Sequence, residues 1–178
     1  MKQSVQTSIH ISVARQRLTL KRGRRVERTF PISSSKFGLG MEEGSFKTPT
    51  GRFRIAEKIG DDLPVEIAFK ARQPLLPSAE MLAADDLVMS RILWLDGLET
   101  ANANTYARYI YIHGTNHEEE IGRPASHGCI RMRKADVAEL FRLVSVNTRV
   151  VIVPPKPSGC ASKKRVRKAL RERDDLPK

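Results

Sequence analysis

Cysteine is scarce in this 178-residue chain, which contains Cys129 and Cys160. The chain is long enough to bury a hydrophobic core without disulfides, and Cys160 lies in a Pro/Ser/Gly-rich segment, so we expect no disulfide between the two. Long apolar runs are also missing: no stretch of about 18 apolar residues could span a membrane. The N-terminal region lacks the apolar core, about 7–15 residues long, of a secretory signal. The composition, with 40% hydrophobic residues, instead predicts one globular domain.

Acidic residues are outnumbered by basic ones, which gives a formal net charge of +12. The excess lies at the two ends, with eight Lys and Arg against one acid in residues 1–28 and nine against three in residues 156–178. Residues 29–155 are close to neutral. The C-terminal segment contains no aromatic residue on which a base could stack. We therefore expect no nucleic acid as a partner, and a basic nucleic-acid-binding protein is the less favoured alternative.

Hydrophobic periodicity predicts a mainly β fold. Apolar and polar residues alternate in several short segments bounded by Gly, Pro or Asp, as expected for strands with one buried face. These segments cover 8–33, which holds three strands, and 51–59, 64–70, 90–97, 108–114 and 148–154. Phe53 and Ile55 are expected to point inward, and Trp94 is expected in the core.

One amphipathic helix is predicted between residues 133 and 146. The apolar residues of this segment are Val137, Leu140, Phe141 and Val144. Their spacing of three and four places them on one face of a helix. Prolines follow the last predicted strand, so we place one domain at residues 1–155 and a basic, flexible tail at residues 156–178.

The stretch GRPASHGCIRM holds Cys129 two residues after His127. Gly128 and Ser126 are typical of a tight turn, in which the amides of Gly128 and Cys129 could point the same way and form an oxyanion hole. His113 ends a predicted strand and is expected to be exposed there. Because a neighbour two residues away in a tight turn usually points elsewhere, His113 is the better base for a Cys129 nucleophile.

Two other interpretations stay open from the residues alone. A cysteine near a histidine is often a small buried hydrophobe beside a structural imidazole. The second is a tetrahedral metal site with His113, His117, His127 and Cys129 as ligands. Against it, His113 and His117 would share a face only on a helix, whereas the sequence predicts a strand and a turn. Gly114 also replaces the Glu of a zinc-protease helix motif, so we expect no metal.

Three motifs in this order resemble the L,D-transpeptidase catalytic domain, or YkuD domain. They are SIHISVARQRLTLKRGRRVERTFPIS, GSFKTPTGRFRI and IHGTNHEEEIGRPASHGCIRM. The resemblance spans roughly residues 8 to 153, nearly all of the predicted domain. It implies a β-sandwich of mixed sheets with one amphipathic helix after the active-site loop, few short extra helices and no cofactor.

The resemblance also implies an activity on the stem peptides of peptidoglycan. Cys129 would be the nucleophile and His113 its base, with the Gly128 and Cys129 amides holding the oxyanion. The thiolate would attack the carbonyl at the L-centre of diaminopimelate in a tetrapeptide, expel D-Ala and form a thioester. An amine acceptor would then cross-link the wall or attach a protein. With water as the acceptor the enzyme would be an L,D-carboxypeptidase.

Further motif positions are expected to contact the substrate. They are Gly114, Thr115, Ser126, His127 and Arg131. Arg131 could bind a substrate carboxylate, and an ion pair beneath the loop is its alternative. The resemblance implies a location in the cell envelope or periplasm, where the basic ends could bind anionic polymers. Because this chain shows no secretory signal, a cytoplasmic location stays open.

Overall fold

The structure of the protein, a computed structural model, describes residues 6–84 and 86–155. Strands dominate these residues. They are β1 (Thr7–Ser12), β2 (Arg17–Arg22), β3 (Arg25–Pro31), β4 (Gly51–Ile59), β5 (Ala68–Lys70), β6 (Gln73–Leu75), β7 (Val88–Gly97), β8 (Tyr111–Gly114), β9 (Ile130–Met132) and β10 (Arg149–Val153). The described helices are α1 (Ala79–Ala84), α2 (Lys134–Leu143) and three single-turn 3₁₀ helices at Val13–Arg15, Thr100–Asn102 and Glu118–Glu120.

The strands form one mixed sheet within the described part of the chain. Its order is β3-β2-β1-β10-β4-β7, and from β7 it continues both to the β5–β6 hairpin and to β8 and β9. The β1–β10 and β8–β9 pairs are parallel, and the other pairs are antiparallel. A mainly β fold with mixed strand directions and few helices, as predicted, is therefore confirmed.

The two ends of this strand order meet, so the sheet closes around a core. Ser33, shortly after β3, pairs with Arg131 of β9 through two backbone N–H···O bonds of 2.9 Å each. The core that the sheet surrounds contains side chains from both ends and from α2. Its members include Ile9, Leu18, Phe30, Phe53, Leu95, Ile112, Ile130 and Leu140.

Alternation along β1 and β2 supplies one layer of this core. Ile9 pairs with Leu20 and Ile11 with Leu18, and all four side chains are fully buried. Burying side chains of this size stabilises the fold by about 1.5–3 kcal/mol each. Because the period of a strand is two, the residues between them face away from the core.

The predicted helix and the predicted inward-facing residues are confirmed. The face of α2 that carries Val137 and Phe141 is buried, and α2 packs against β7 and β8. Phe53 and Ile55 of β4 are fully buried, and Trp94 of β7 is buried as well. α2 therefore covers the strand that ends at the candidate site.

Two predicted strands are shorter than the sequence pattern indicated. β5 begins at Ala68, because the residues from 61 to 66 form turns. β8 begins at Tyr111, because residues 103–109 turn and Tyr109 has a φ of 56°, outside the extended range. In both segments a local turn conformation interrupts an otherwise strand-like pattern.

Two predictions concern residues that the structure does not describe. The basic tail at 156–178 and Cys160 lie outside the described residues, and Cys129 is a free cysteine. Among the described helices, none combines the length and apolar content needed to cross a bilayer.

Candidate active site

The parallel pair β8–β9 places the predicted catalytic residues on one face of the sheet. Ile112 pairs with Ile130, and both are buried in the core. His113, which pairs with Arg131, therefore faces the opposite side. Cys129 immediately precedes β9 and shares that side, where it packs against the aromatic cluster that contains Trp94 and Tyr111.

The Cys129 thiol is held by the backbone of the segment that leads into β8. The Tyr111 N–H donates to Sγ at 3.4 Å, and Sγ donates to the Tyr109 carbonyl at 3.4 Å. Tyr109 adopts a φ of 56°, which costs a non-glycine residue about 1–3 kcal/mol and turns its carbonyl toward the sulfur. Burial raises the pKa of the Cys129 thiol to about 11, although the Tyr111 N–H and Arg131 oppose that shift.

His113 is buried, with 4% of its surface exposed, so the prediction of an exposed imidazole at the strand end is wrong. β7 and β9 flank β8, α2 packs against it, and every residue of β8 is buried. Nδ1 of His113 donates to the Gly114 carbonyl at 2.6 Å, which leaves Nε2 without a proton in the neutral ring. Burial lowers the pKa of His113 to about 4. The imidazole is therefore neutral at pH 7 and can accept a proton at Nε2.

The thiol and the imidazole lie on the same face, but no hydrogen bond joins them among the described residues. The sulfur instead bonds to the backbone of Tyr109 and Tyr111. Catalytic hydrogen bonds are often long or absent before substrate binds. The role of His113 as a base for Cys129 stays a prediction.

The turn before Cys129 is built from internal hydrogen bonds. Ser126 Oγ donates to the Cys129 carbonyl at 2.6 Å and accepts from the Gly128 N–H at 3.3 Å. Thr48 Oγ1 donates to the Gly128 carbonyl at 2.9 Å. Gly128 has a φ of 123°, a conformation that favours glycine. These bonds fix the backbone direction just ahead of the thiol.

Three of the residues predicted to contact substrate are buried and make contacts within the fold. Ser126 is 1% exposed and bonded within the turn, and the fully buried Thr115 accepts the His117 N–H at 3.1 Å. At Gly114 a Cβ atom would lie 2.7 Å from the Met89 carbonyl oxygen, so close packing requires glycine. The Gly128 N–H is also directed at Ser126, so the predicted oxyanion hole is not open in this structure.

Arg131 is buried between two carboxylates. It is 3% exposed, donates to Glu120 at 3.0 Å and is bonded to Asp86. The guanidinium of Arg131 is occupied by these two acids in this structure. Of the two roles predicted for Arg131, the ion pair beneath the loop is therefore the one observed. Asp86 also accepts from His127 Nδ1 at 3.3 Å. Together these side chains line a cavity of about 460 Å³.

His127 separates that cavity from a second one. As expected, it does not bond to Cys129: its ring packs against Phe37 and Phe46, with centroid distances of 5.6 and 6.1 Å. The second cavity, of about 290 Å³, is lined by Phe46, Arg108, Tyr109 and His127. His127 is partly exposed and is the motif residue best placed to contact a ligand in either cavity.

A metal site is not formed by the four residues that the alternative interpretation used. Within residues 6–84 and 86–155, no group of three or more His, Cys, Asp or Glu side chains is arranged to hold an ion. His117 pairs with Glu119 at 3.3 Å, and His127 with Asp86 at 3.3 Å.

Sequence reasoning missed Asp86, Tyr109 and Tyr111 as parts of the site. Asp86 lies far from the motif in sequence, and no residue pattern around it indicates a partner. The tyrosines act through their backbone, which a sequence motif does not mark. The strand-like sequence pattern of residues 108–114 runs through Tyr109 without interruption, so it gave no signal of the left-handed backbone there.

Residues 6–152 match the sequence model of YkuD, the L,D-transpeptidase catalytic domain. YqjB of Bacillus subtilis, named as an L,D-transpeptidase, is 34% identical over 108 residues, which cover 57% of this chain and 58% of that protein. YkuD of the same species, also so named, is 31% identical over 144 residues, which cover 81% of this chain and 64% of that protein. The chain thus spans about three fifths of the length of these two relatives.

Solved structures show the same fold. An L,D-transpeptidase from Mycobacterium smegmatis has a TM-score of 0.54 at 18% identity, over 83% of this chain and 58% of that one. An L,D-transpeptidase from Xylanimonas cellulosilytica has a TM-score of 0.55 at 20% identity, over 86% of this chain and 63% of that one. At these identities the similarity concerns the fold alone.

Proposed function

Because the chain belongs to the L,D-transpeptidase catalytic domain family, YkuD, we propose that it is a peptidoglycan L,D-transpeptidase with Cys129 as nucleophile and His113 as general base. The observation that carries this proposal is the placement of both side chains on one face of β8 and the start of β9, next to the cavities that meet at His127. A neutral His113 with Nε2 free of a proton suits a base.

In the first half-reaction the Cys129 sulfur attacks the carbonyl carbon at the L-centre of diaminopimelate in a donor tetrapeptide. The thiol proton leaves the Tyr109 carbonyl and passes to Nε2 of His113 during the attack. The C–N bond to D-Ala then breaks, the imidazolium gives its proton to the departing amine, and a thioester remains on Cys129. Because both groups are neutral beforehand, proton transfer and attack belong to one step.

In the second half-reaction an amine attacks the thioester, loses a proton to His113 and releases the Cys129 thiol. A diaminopimelate side chain as the amine produces a cross-link, and a protein lysine produces an attached protein. Water in the same position would make the enzyme an L,D-carboxypeptidase.

The oxyanion of each tetrahedral intermediate would be held by the amides of Gly128 and Cys129. For this the Gly128 N–H must exchange the Ser126 hydroxyl for the oxyanion. That bond is long, at 3.3 Å, so little interaction energy is lost in the exchange. Ser126 keeps its shorter bond to the Cys129 carbonyl and holds the turn in place.

The cell envelope is the proposed location, since stem peptides of peptidoglycan are the proposed substrates. Anionic envelope polymers are proposed as partners of the basic ends. His127, at the boundary of the two cavities, is the proposed contact of the motif with the peptide.

Intact-protein mass spectrometry after mixing with a diaminopimelate tetrapeptide tests the proposal. We expect the wild type to gain the mass of the tripeptide acyl group and to lose it when an amine acceptor is added. Cys129→Ala should gain no mass, and His113→Gln should gain it at least about 100-fold more slowly, the usual contribution of a general base.

The control is alkylation of the same samples, which shows whether Cys129 is accessible. An adduct that also forms on Cys129→Ala would contradict the assignment of the nucleophile. An adduct discharged by water but by no amine would favour the carboxypeptidase. A wild-type protein that forms no adduct with any tetrapeptide would contradict the proposed function.

A further inference from the structure

Four arginines lie near the candidate active site. Arg123 lines the larger cavity and pairs with Glu120 at 3.5 Å. Two others are engaged by the fold. Arg131 is bonded to Asp86 and Glu120. Arg108 donates to the backbone carbonyls of Gly40 at 3.2 Å and Lys47 at 2.8 Å. Neither guanidinium has the free planar edge that a ligand carboxylate needs.

Arg72 is the fourth, and its partners are aromatic. Its guanidinium carbon lies 5.1 Å from the ring centroid of Trp94 and 5.2 Å from that of Tyr109. It also interacts electrostatically with the hydroxyls of Tyr111 and Tyr106. In the described ranges no carboxylate and no backbone carbonyl accepts a hydrogen bond from Arg72. The contacts orient the guanidinium and leave N–H donors for a ligand.

The tyrosines that hold Arg72 also hold the Cys129 thiol. The Tyr109 carbonyl and the Tyr111 N–H bond to Sγ, while the side chains of the same two residues contact the guanidinium. Cys129 and Trp94 belong to one packed cluster. The cation is therefore separated from the sulfur by a single layer of residues.

The turn that presents Arg72 is formed at a conformational cost. Lys70 pairs with Gln73 in the β5–β6 hairpin, so Ala71 and Arg72 are its two central residues, with φ values of 48° and 68°. Two positive φ angles are typical of a type I′ turn, which favours Asn-Gly. Glycine would suit position 72 better, so the strained backbone there indicates a role for the arginine side chain.

We propose that Arg72 is a specificity residue that binds a free carboxylate of the donor peptide, an inference that rests on the proposed transpeptidase function. The leaving D-Ala carries its carboxylate one residue beyond the attacked carbonyl, within about 4 Å along the chain. The Arg72 guanidinium, one layer of residues away from Cys129, can bind this group through two parallel N–H···O bonds. Binding of the D-Ala carboxylate would select donors that end one residue after the scissile bond.

The carboxylate has two sources in a tetrapeptide donor. One is the C-terminal carboxylate of D-Ala, and the other is the carboxylate at the D-centre of diaminopimelate. Three donors distinguish them: the tetrapeptide, its C-terminal amide, and the tetrapeptide with the D-centre carboxylate amidated. Acylation of Cys129 by each donor is followed by mass spectrometry to obtain kcat/KM.

We expect the wild type to acylate about 10- to 100-fold faster with the acid than with one of the two amides, the range expected for a charge-assisted hydrogen bond. The amide that reacts slowly identifies the carboxylate. Arg72→Gln should remove this preference, and Arg72→Lys should retain part of it. Lys70→Gln, which removes an exposed cation from the same hairpin, is the matched control and should keep the full preference.

Arg72→Gly serves as a second variant, because glycine accepts a φ of 68° and preserves the turn. Wild-type acylation with an unchanged preference in Arg72→Gln and Arg72→Gly would overturn the role of Arg72 and leave the transpeptidase proposal standing. Equal acylation rates of the wild type with all three donors would also overturn the role of Arg72 and leave the transpeptidase proposal standing. No wild-type acylation by any donor would overturn the transpeptidase function, and the role of Arg72 with it.

Discussion

Burial determines the charge of the two residues in the proposed catalytic pair. The pKa of the Cys129 thiol is raised to about 11, and the pKa of His113 is lowered to about 4. Between these values the free enzyme holds a neutral thiol and a neutral imidazole, unlike a preformed thiolate–imidazolium pair. The Tyr109 carbonyl, which accepts from the thiol, stabilises the same neutral state.

This state predicts a specific pH dependence of thiol reactivity. A thiol is neutral below its pKa, so with a pKa of about 11 the thiolate fraction at pH 7 is only about 1 in 10,000. We expect the rate of alkylation of Cys129 by iodoacetamide to rise about tenfold per pH unit from pH 7 to 10. Peptide mass mapping separates Cys129 from Cys160.

A rate that reaches its plateau near pH 7 would contradict this prediction, since it would require a preformed thiolate. Denatured protein, in which burial is lost, is the control and should reach its plateau about two pH units earlier.

The sequence singles out Cys129 and His113 as candidates, because the His-Gly-Thr and Ser-His-Gly-Cys segments that contain them are local motifs. The burial of His113 could not be predicted from the sequence, because it depends on elements from distant parts of the chain that pack around β8. Ser126 and Thr115 illustrate the same limit. A motif shows that these hydroxyl groups are near the site, but only the fold shows that both are turned inward.

One buried side chain, that of Arg131, joins three separate structural segments. Arg131 of β9 bonds to Asp86, which precedes β7, and to Glu120 of the 3₁₀ helix at Glu118–Glu120. Arg131 also pairs through its backbone with Ser33, where the sheet closes. Arg131, two residues after Cys129, thus fixes the walls of the larger of the two cavities.

Removing this buried cation should be costly, because Asp86 and Glu120 then keep only their longer contacts, to His127 at 3.3 Å and to Arg123 at 3.5 Å. We expect Arg131→Gln to lower the free energy of unfolding by about 1.5–3 kcal/mol, as measured by urea denaturation. The matched control is Arg28→Gln, which breaks the largely exposed Arg28–Glu139 pair and should cost less than about 1 kcal/mol. Equal losses in the two variants would show that Arg131 has no special structural role.

The two ends of the described chain lie side by side in the middle of the sheet. β1 and β10 are parallel neighbours, and β10 also pairs with β4. The domain is therefore completed only when its last strand is in place. The charge excess lies at the two ends of the sequence, outside the near-neutral residues 29–155.

Deleting residues 156–178 removes nine basic and three acidic residues. We expect the shortened protein to elute from a heparin column, a probe for anionic polysaccharide, at a lower salt concentration than the full chain. Its melting temperature and its acylation by the tetrapeptide should be unchanged. Elution at the same salt concentration would contradict a role for this segment in binding anionic polymers.

The sequence by itself determined the mainly β class, most of the strands and the helix α2, and it supplied Cys129 and His113 as the candidate pair that remains to be tested. These features depend on alternation, helical spacing and motif residues, all of which act over short stretches of chain. Only the tertiary structure decided that His113 is buried, that Arg131 is held by Asp86 and Glu120, and that Arg72 reaches the tyrosines beside the thiol. Each of these depends on contacts between segments distant in sequence, and such contacts exist only once the sheet has closed.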